Sequence, residues 1–508
     1  MQNISNQIEK AKEAQKQWAK LSYNKRAAKI KKVLRSLSEK RDEILGVIQR
    51  ENGKSIIDAL AAELVPAFMA VPYYIKTGRR LCRPRKLGGG HLLMFFKPCL
   101  MTYEPWGVVG IISPWNYPFS IPFSEVIMAL LAGNAVILKT ATLTPGAGRI
   151  IAKILEEANL PEGLFTNVEI PGKDAGSAFI GGGIDKLFFT GSTAVGKKLM
   201  ALAAEKLTPL TLELGGADAA IICKSADIDR AASGIIWGAF SNGGQSCGGV
   251  QRVLVHKDRY NEFLEKIKNR VESLRPGNDI SSDLCRVISI RGKEEVRKQV
   301  EECLAKGAKI AAQSKAFTDT DGSTAGTIED DKLYFPALVL TDIKEGMPIY
   351  DDEIFGPVIG ALPFNDDEEA IKIANCSPYA LTSSVWTKNK KQGRKLAAQI
   401  HAGSVMINDH LMSHGLAQAA WGGYGQSGIG KTHGELGFHE MLKTKVIVDD
   451  ILPGAKRQPW WQPYSENIYK GLIALSDILS ASFFKKIAAL PALTKWFLLA
   501  WNKKGDRK

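Results

Sequence analysis

Paired cysteines are what this sequence most obviously lacks. Its seven, Cys82, Cys99, Cys223, Cys247, Cys285, Cys303 and Cys376, are scattered, odd in number and free of any CxxC spacing. That argues against a disulfide framework or a zinc ribbon and for a reducing, cytoplasmic setting. An apolar leader is also missing, because MQNISNQIEKAKEAQKQW is polar and reads as no secretory signal. The charge-free run Pro105–Ser124 is broken by prolines and glycines. It reads as strand, loop and helix start rather than as a membrane span. No repeat of solenoid length recurs. What the chain does have is length, 508 residues, enough for two or three domains. It also carries a net charge of +14, which suits nucleic acid, an anionic membrane or an anionic small molecule. From Pro453 onward there are ten Lys/Arg against three Asp/Glu, with Trp460, Trp461, Trp496 and Trp501 among them. A basic, tryptophan-rich end reads as a membrane-surface element rather than a nucleic-acid arm.

Helical periodicity with many Lys/Glu pairs runs from about Asn6 to Glu63, and a basic stretch with three glycines follows to His91. MTYEPW, GVVGIIS, AVILK, KLFFT and LTLEL then read as strands. Helical patterns at Phe123–Leu131, Gly146–Asn159 and Gly196–Ala204 alternate with them. The alternation predicts a parallel α/β sheet. It renews after Cys247, with RVLVH, ALTSSVWT and GSVMIN as strands and helices at Arg259–Ser273, Gly292–Lys306, Glu368–Asn375 and Lys391–Ile400. Thr318–Asp331 reads as an exposed polar loop, and Leu452–Pro459 as the boundary of an appendage.

Four short stretches carry chemistry. FSNGGQSCGGVQRV, Phe240–Val253, sets Cys247 among glycines and amides, whereas an inert cysteine packs as a small hydrophobe among apolar neighbours. TLELGG, Thr211–Gly216, puts Glu213 inside an apolar strand, where burial raises a carboxyl pKa and suits a general base; a salt-bridged structural glutamate fits the same pattern. PWNYP fixes Asn116 between prolines, either to donate to an oxyanion or simply as turn chemistry. FFTGSTAVGKK runs strand, glycine loop, helix start, as at a phosphate site or in a plain connection. It nearly matches a P-loop, but Lys198 stands where the magnesium-binding hydroxyl belongs, which weakens a kinase reading.

These stretches, with EIFGPV (Glu353–Val358) and GGYGQSGIGKTHGELGF (Gly422–Phe438), stand in the order found in the aldehyde dehydrogenase superfamily, which the chain resembles from about Ile8 to Asp450. The resemblance implies two doubly wound α/β domains plus a small β oligomerisation hairpin. Residues 1–85, 104–214 and 424–437 would form the cofactor-binding Rossmann-like domain and 215–423 the catalytic domain. Residues 86–103 and 438–449 would give oligomerisation strands, and 450–508 a basic amphipathic appendage. It implies an aldehyde substrate, NAD or NADP, and a homodimer or tetramer. Cys247 would attack the aldehyde, Asn116 and the Cys247 N–H would hold the thiohemiacetal oxyanion, and Glu213 would activate water for thioester hydrolysis. Trp115, Lys139, Gly191, Ser192, Gly196, Gly215, Glu353 and Phe355 would contact the cofactor.

One departure stands out. The family commonly has Lys-Pro-x-Glu after its second strand, and here the run is Lys139-Thr140-Ala141-Thr142. Thr142 replaces a carboxylate that would repel a 2′-phosphate, so NADP is expected to be tolerated or preferred. A CoA-acylating relative is opposed by Glu213, and a catalytically silent nucleotide-binding or membrane-scaffold protein by the intact Cys247, Glu213 and Asn116. His410 and His414 sit four apart but lack the glutamate of HExxH, so they read with Asn408 as a loop at the substrate entrance. In the tail, Ile468, Leu472, Leu475, Leu479 and Phe483 form one stripe of a helix expected over Glu466–Leu490 and stopped by Pro491. That stripe suits either an anionic membrane surface, and with it lipid-derived aldehydes, or packing on protein.

Overall fold

The computed structural model describes residues 4–88, 90, 94–315, 332–452, 454–480 and 482–501. The segment expected as a polar loop, Thr318–Asp331, lies outside them. The chain divides into two compact units, Met1–Arg83 with Tyr103–Thr444, and Pro84–Thr102 with Lys445–Lys508.

The first unit is built on two sheets. One has six strands in the order Gly428–Ile429, Leu210–Glu213, Lys186–Thr190, Val108–Ile112, Ala135–Lys139, Phe165–Asn167. All neighbours are parallel except the outer pair, where Gly428 faces Glu213 antiparallel. The three strands starting at Val108, Ala135 and Lys186 are wholly buried, as their continuous apolar runs require when helices cover both faces. The other sheet has seven strands in the order Lys309–Gln313, Leu338–Thr341, Val358–Phe364, Val250–His256, Asp218–Ile222, Thr382–Trp386, Ser404–Ile407. It is parallel but for its first pair. The chain passes from one sheet to the other through Leu214–Ala217, so Glu213 ends the last parallel strand of the first and Asp218 begins the second.

In the six-stranded sheet the strand order reverses between Val108–Ile112 and Lys186–Thr190. Ligands of open α/β sheets bind in the crevice beyond the carboxyl ends of such strands. The residues immediately following are Ser113–Asn116 and Gly191–Ser192.

The long apolar stretch Ile56–Leu81 has the length and hydropathy of a bilayer-crossing helix. Here it packs as core, with Ala59, Leu64, Ala67, Val71 and Tyr74 buried. It contains one π-helical segment, Leu60–Leu64. Beside that segment, Lys54 and Glu63 form a fully buried ion pair at 2.9 Å. Lys54 also donates to Asn52 Oδ1 at 3.2 Å and to the carbonyl of Asn116. The second oxygen of Glu63 accepts from the Phe119 and Ser120 N–H groups at 3.0 and 2.8 Å. Those are free donors at the start of helix Ser120–Ala132. Asn52 Nδ2 donates to the Trp115 carbonyl at 2.9 Å. The PWNYP turn is therefore clamped from outside itself.

In the second unit, Arg85–Leu87 pairs antiparallel with the start of Cys99–Pro105, and Leu442–Val448 is the third strand of that sheet. Strand structure begins later than the expected 438. Phe438 lies in helix Gly434–Glu440 and is fully buried, because its ring fills core. The tail departs from expectation as well. It forms two helices, Glu466–Ser480 and Phe483–Leu498, and Pro491 sits inside the second. Pro491 is exposed, and the helix continues through it. The predicted stripe divides. Ile468 is buried and Leu475 packs on the hairpin core, whereas Leu472, Leu479 and Phe483 are exposed.

Removing one partner of the buried pair leaves an uncompensated charge. Lys54→Met is expected to cost about 3–5 kcal/mol in urea unfolding. Adding Glu63→Gln should recover most of that loss, since a neutral amide oxygen still accepts both N–H groups. A Lys54→Met protein of wild-type stability would refute the clamp.

Candidate active site

Cys247 follows a short helical turn, Ser241–Gly244, whose Asn242, Gly243 and Gly244 have φ of 55°, 61° and 71°. A Cβ on Gly244 would lie 2.3 Å from the Gly356 carbonyl carbon, so only glycine fits there. Gln245 ties this turn to its surroundings. Its Nε2 donates to the Asn242 carbonyl at 2.9 Å and its Oε1 accepts from the Ile288 N–H at 2.8 Å. Its own carbonyl accepts from Asn116 Nδ2 at 3.2 Å. The Asn116 side chain is thus fixed by the cysteine loop, and its backbone by Lys54.

Burial and like charge set the titration of the site. The Cys247 thiol is held well above an ordinary thiol, first by burial and then by Glu213, Glu353 and Asp218. The Glu213 carboxyl lines the same cavity as the thiol. Burial pushes Glu213 up to about 8, against a 2.9 Å hydrogen bond from Trp421 Nε1 that favours its charged form. A neutral thiol resting against a base of that strength can lose its proton to it as sulfur attacks.

Asn116, Glu213 and Cys247 line one cavity of about 290 Å³, together with Trp115, Gly191, Ser192, Gly215, Glu353 and Phe355. The rings of Trp115 and Phe355 meet edge to face at 5.4 Å. Glu353 accepts from the Gly216 N–H at 3.1 Å, and burial raises it to about 7. A Cβ on Gly215 would lie 2.4 Å from its carboxylate. Three of the expected cofactor residues sit elsewhere. Gly196 is buried, and a Cβ there would meet Leu214 at 2.7 Å, so its smallness serves helix–strand packing. Lys139 ends the neighbouring strand and reaches Thr142 Oγ1 at 3.4 Å. Helix Thr193–Ala204 begins beside the cavity, and Ser192 gives it no side-chain cap. Its first N–H groups are available to a phosphate, so the donor set fits a dinucleotide.

A second cavity of about 170 Å³ opens on Cys247. Tyr117, Trp237, Met412, His414 and Trp421 line it, with Asp58 as its charged residue. Asp58 accepts from the Asn242 N–H at 2.9 Å, and burial raises its carboxyl. Of the histidines expected at an entrance, His414 lines this cavity and His410 does not. His410 Nε2 lies 2.9 Å from the Gly248 carbonyl and Nδ1 3.0 Å from Ser384 Oγ, so it braces the cysteine loop from behind. Asn408 is bound at both ends of its amide to the Thr387 backbone and serves a turn. Asp58, Trp237, Trp421 and Lys54 carried no signal in the sequence. Tyr117 lay within PWNYP, where only Asn116 attracted attention.

Two doubly wound sheets meeting at such a crevice define the class, an α/β enzyme built to take a dinucleotide. The model of the aldehyde dehydrogenase family matches residues 1–447, and the chain belongs to that family. One similar protein, from Mycobacterium ulcerans, carries the provisional name succinate-semialdehyde dehydrogenase [NADP(+)] 2; it is 36% identical over 86% of this chain and 82% of its own. The 4,4'-diapolycopene aldehyde oxidase of a Methylomonas species is 32% identical over 94% and 87%. Among solved structures, the NAD+ complex of aldehyde dehydrogenase from Bacillus cereus superposes with TM-score 0.81 at 32% identity, covering 88% of this chain and 89% of the other.

Because the base works as a carboxylate, kcat/KM is expected to rise with pH through about 8 and then level. Trp421→Phe removes a donor to the charged form, so the inflection should move upward by roughly one pH unit. A profile left in place by that change would separate Trp421 from the base.

Proposed function

We propose that the protein oxidises an uncharged, apolar aldehyde to its carboxylic acid with NAD or NADP, and that Cys247, Glu213 and Asn116 carry the chemistry. The observation that bears most weight is the sulfur shared by two cavities, one suited to a dinucleotide and one to an aldehyde. Cys247 Sγ attacks the aldehyde carbon while its proton passes to Glu213. The oxyanion so formed is received by Asn116 Nδ2 and the Cys247 N–H. The chemistry a bound nicotinamide supplies is acceptance of the hydride, which leaves a thioester on Cys247. Glu213 releases the thiol proton to solvent, takes a proton from the water that attacks that thioester, and returns it to sulfur as the acid leaves, so that the thiol is restored. A carboxyl base in the same cavity as the thiol supports hydrolysis over acyl transfer to CoA. Trp115, Gly191, Ser192, Gly215, Glu353 and Phe355 would hold the nicotinamide half and the pyrophosphate. Lys139 and Thr142 would face the adenosine ribose.

The aldehyde cavity is where substrate class is read. Its lining offers aromatic and thioether surface and one carboxyl, Asp58, and no lysine or arginine. A carboxylate-bearing aldehyde would be buried there without a counter-charge, at a cost of several kcal/mol. Of the two aldehydes in the relatives' names, the apolar polyene suits this lining better than succinate semialdehyde. Three further assignments belong to the same reading. The division of cofactor binding and catalysis follows the two sheets. The outer strand Leu442–Val448, with Val446, Ile447 and Val448 exposed, supports a homodimer joined at that edge. Seven free cysteines support a cytoplasmic location.

Steady-state rates with hexanal and with succinate semialdehyde test the substrate class. Hexanal should be favoured about 100-fold in kcat/KM. Asp58→Asn should narrow that ratio about tenfold by removing the like charge. Preference for the acidic aldehyde would overturn the assignment. Thr142→Glu should depress kcat/KM for NADP about tenfold or more relative to NAD, through repulsion of the 2′-phosphate. An unchanged cofactor ratio would remove Thr142 from the ribose site.

A further inference from the structure

The tail helices Glu466–Ser480 and Phe483–Leu498 pack on each other around their own small core of Ile468, Ala474, Ala489, Leu493 and Trp496. Gly471 makes this close approach feasible, since a Cβ there would lie 2.1 Å from the Cβ of Trp496. The inner faces are thus satisfied within the hairpin. Its tip is not. Every residue from Ser482 to Ala488 is exposed. Phe483 and Phe484 are 71% and 82% exposed, and Leu479 and Ile487 beside them 53% and 51%. Soluble surfaces seldom leave contiguous large apolar groups in water without an occupant for them.

We propose that this tip docks on an anionic lipid surface, with Phe483 and Phe484 inserted among the acyl chains and Lys485 and Lys486 among the headgroups. Three observations select lipid over a second copy of the chain. The two lysines stand in the middle of the apolar patch, and among the described residues no carboxylate pairs with either. Two such tips brought face to face would set like charges together, whereas an anionic surface complements both features at once. The sequence beyond Trp501 adds four Lys/Arg against one Asp, which strengthens attraction to the same surface. Helices of 15 and 16 residues are too short to cross a bilayer, so the hairpin lies at the interface and does not span it. Exposed Trp461, Tyr464 and Tyr469 in the same unit are residue types that favour the headgroup level.

The test is co-sedimentation of the full-length protein with phosphatidylcholine vesicles, with and without phosphatidylserine, at low and high salt. Binding should require phosphatidylserine and weaken as salt rises. Phe483→Glu with Phe484→Glu should reduce the bound-to-free ratio about tenfold or more. Lys485→Gln with Lys486→Gln should weaken the dependence on phosphatidylserine and on salt. Each variant should keep wild-type turnover of a short soluble aldehyde, which shows that the enzyme has folded and keeps the result separate from the catalytic assignment. Wild-type protein that ignores both vesicles, or double-glutamate protein that binds as well as wild type, overturns the proposal. So does a mass by light scattering that rises with concentration and falls to a smaller species in the double-glutamate variant without vesicle binding, because the tip would then belong to a second copy.

Discussion

A buried carboxyl and a half-buried thiol line one cavity, and most of the first unit can be understood as what that arrangement demands. Glu213 is 2% exposed, lies against Cys247, and has Glu353 and Asp218 close enough to raise the thiol further. Left to itself such a cluster would protonate and go silent. It stays usable because every carboxyl has a donor. Trp421 serves Glu213, the Gly216 N–H serves Glu353, and Thr382 serves Asp218 with both its N–H and its hydroxyl at 2.9 Å. The donors come from distant parts of the chain, so the site exists only in the finished fold. A base near pH 8 is the outcome: weak enough to be buried, strong enough to accept a thiol or water proton in turn.

The same logic explains the rigidity around Asn116. An amide meant to meet a developing oxyanion must be aimed before the charge appears, because reorganisation during the step would cost rate. Two independent supports aim it. Gln245 fixes the side chain from the cysteine loop, and the Lys54–Glu63 pair fixes the backbone from the helix that carries the π-helical turn. A buried ion pair is seldom a net source of stability. Here both members make additional hydrogen bonds, which end on the PWNYP turn, on the start of the helix that follows it, or on Asn52, itself bound to the Trp115 carbonyl. The pair therefore reads as a positioning device whose stability contribution is secondary. The π-helical turn beside it is of the kind that recurs at functional sites.

What could be read from the sequence was whatever is encoded locally. Cys247 stood out because its neighbours are glycines and amides, and those neighbours do make the left-handed turn and the hydrogen bonds that hold it. Glu213 stood out because one carboxylate interrupts an apolar strand. The alternation of strands and helices was legible for the same reason, since the apolar runs are continuous where helices cover both faces of a sheet. Asp58 and Lys54 were hidden in a stretch whose charged residues look like any solvated helix face, and their partners Asn242 and Asn116 lie far along the chain. Trp421 was hidden because nothing in WGGYG says that the indole N–H reaches Glu213. Pro491 misled through a rule that holds for buried helix interiors and relaxes on an exposed face; Pro72, likewise exposed, sits inside helix Val65–Leu81. Gly196 stood out through its place in a glycine motif, and its missing side chain makes room for Leu214, which the motif does not announce.

The two cavities that meet at Cys247 separate what is shared from what is selected. The thiol lies where the cavities touch, and Glu213 and Asn116 line the larger one beside it. The residues that distinguish one aldehyde from another, Asp58, Trp237 and Met412, line only the smaller cavity. Lys139 and Thr142, the residues proposed to read the nucleotide, lie at and just after the end of strand Ala135–Lys139 and line neither cavity. The two groups share no residue. This accounts for relatives at comparable identity whose names carry aldehydes as different as a short dicarboxylic semialdehyde and a long polyene. Overall identity reports mainly on the scaffold that buries the carboxyls. Substrate class has to be read from the charge and polarity of the smaller cavity alone.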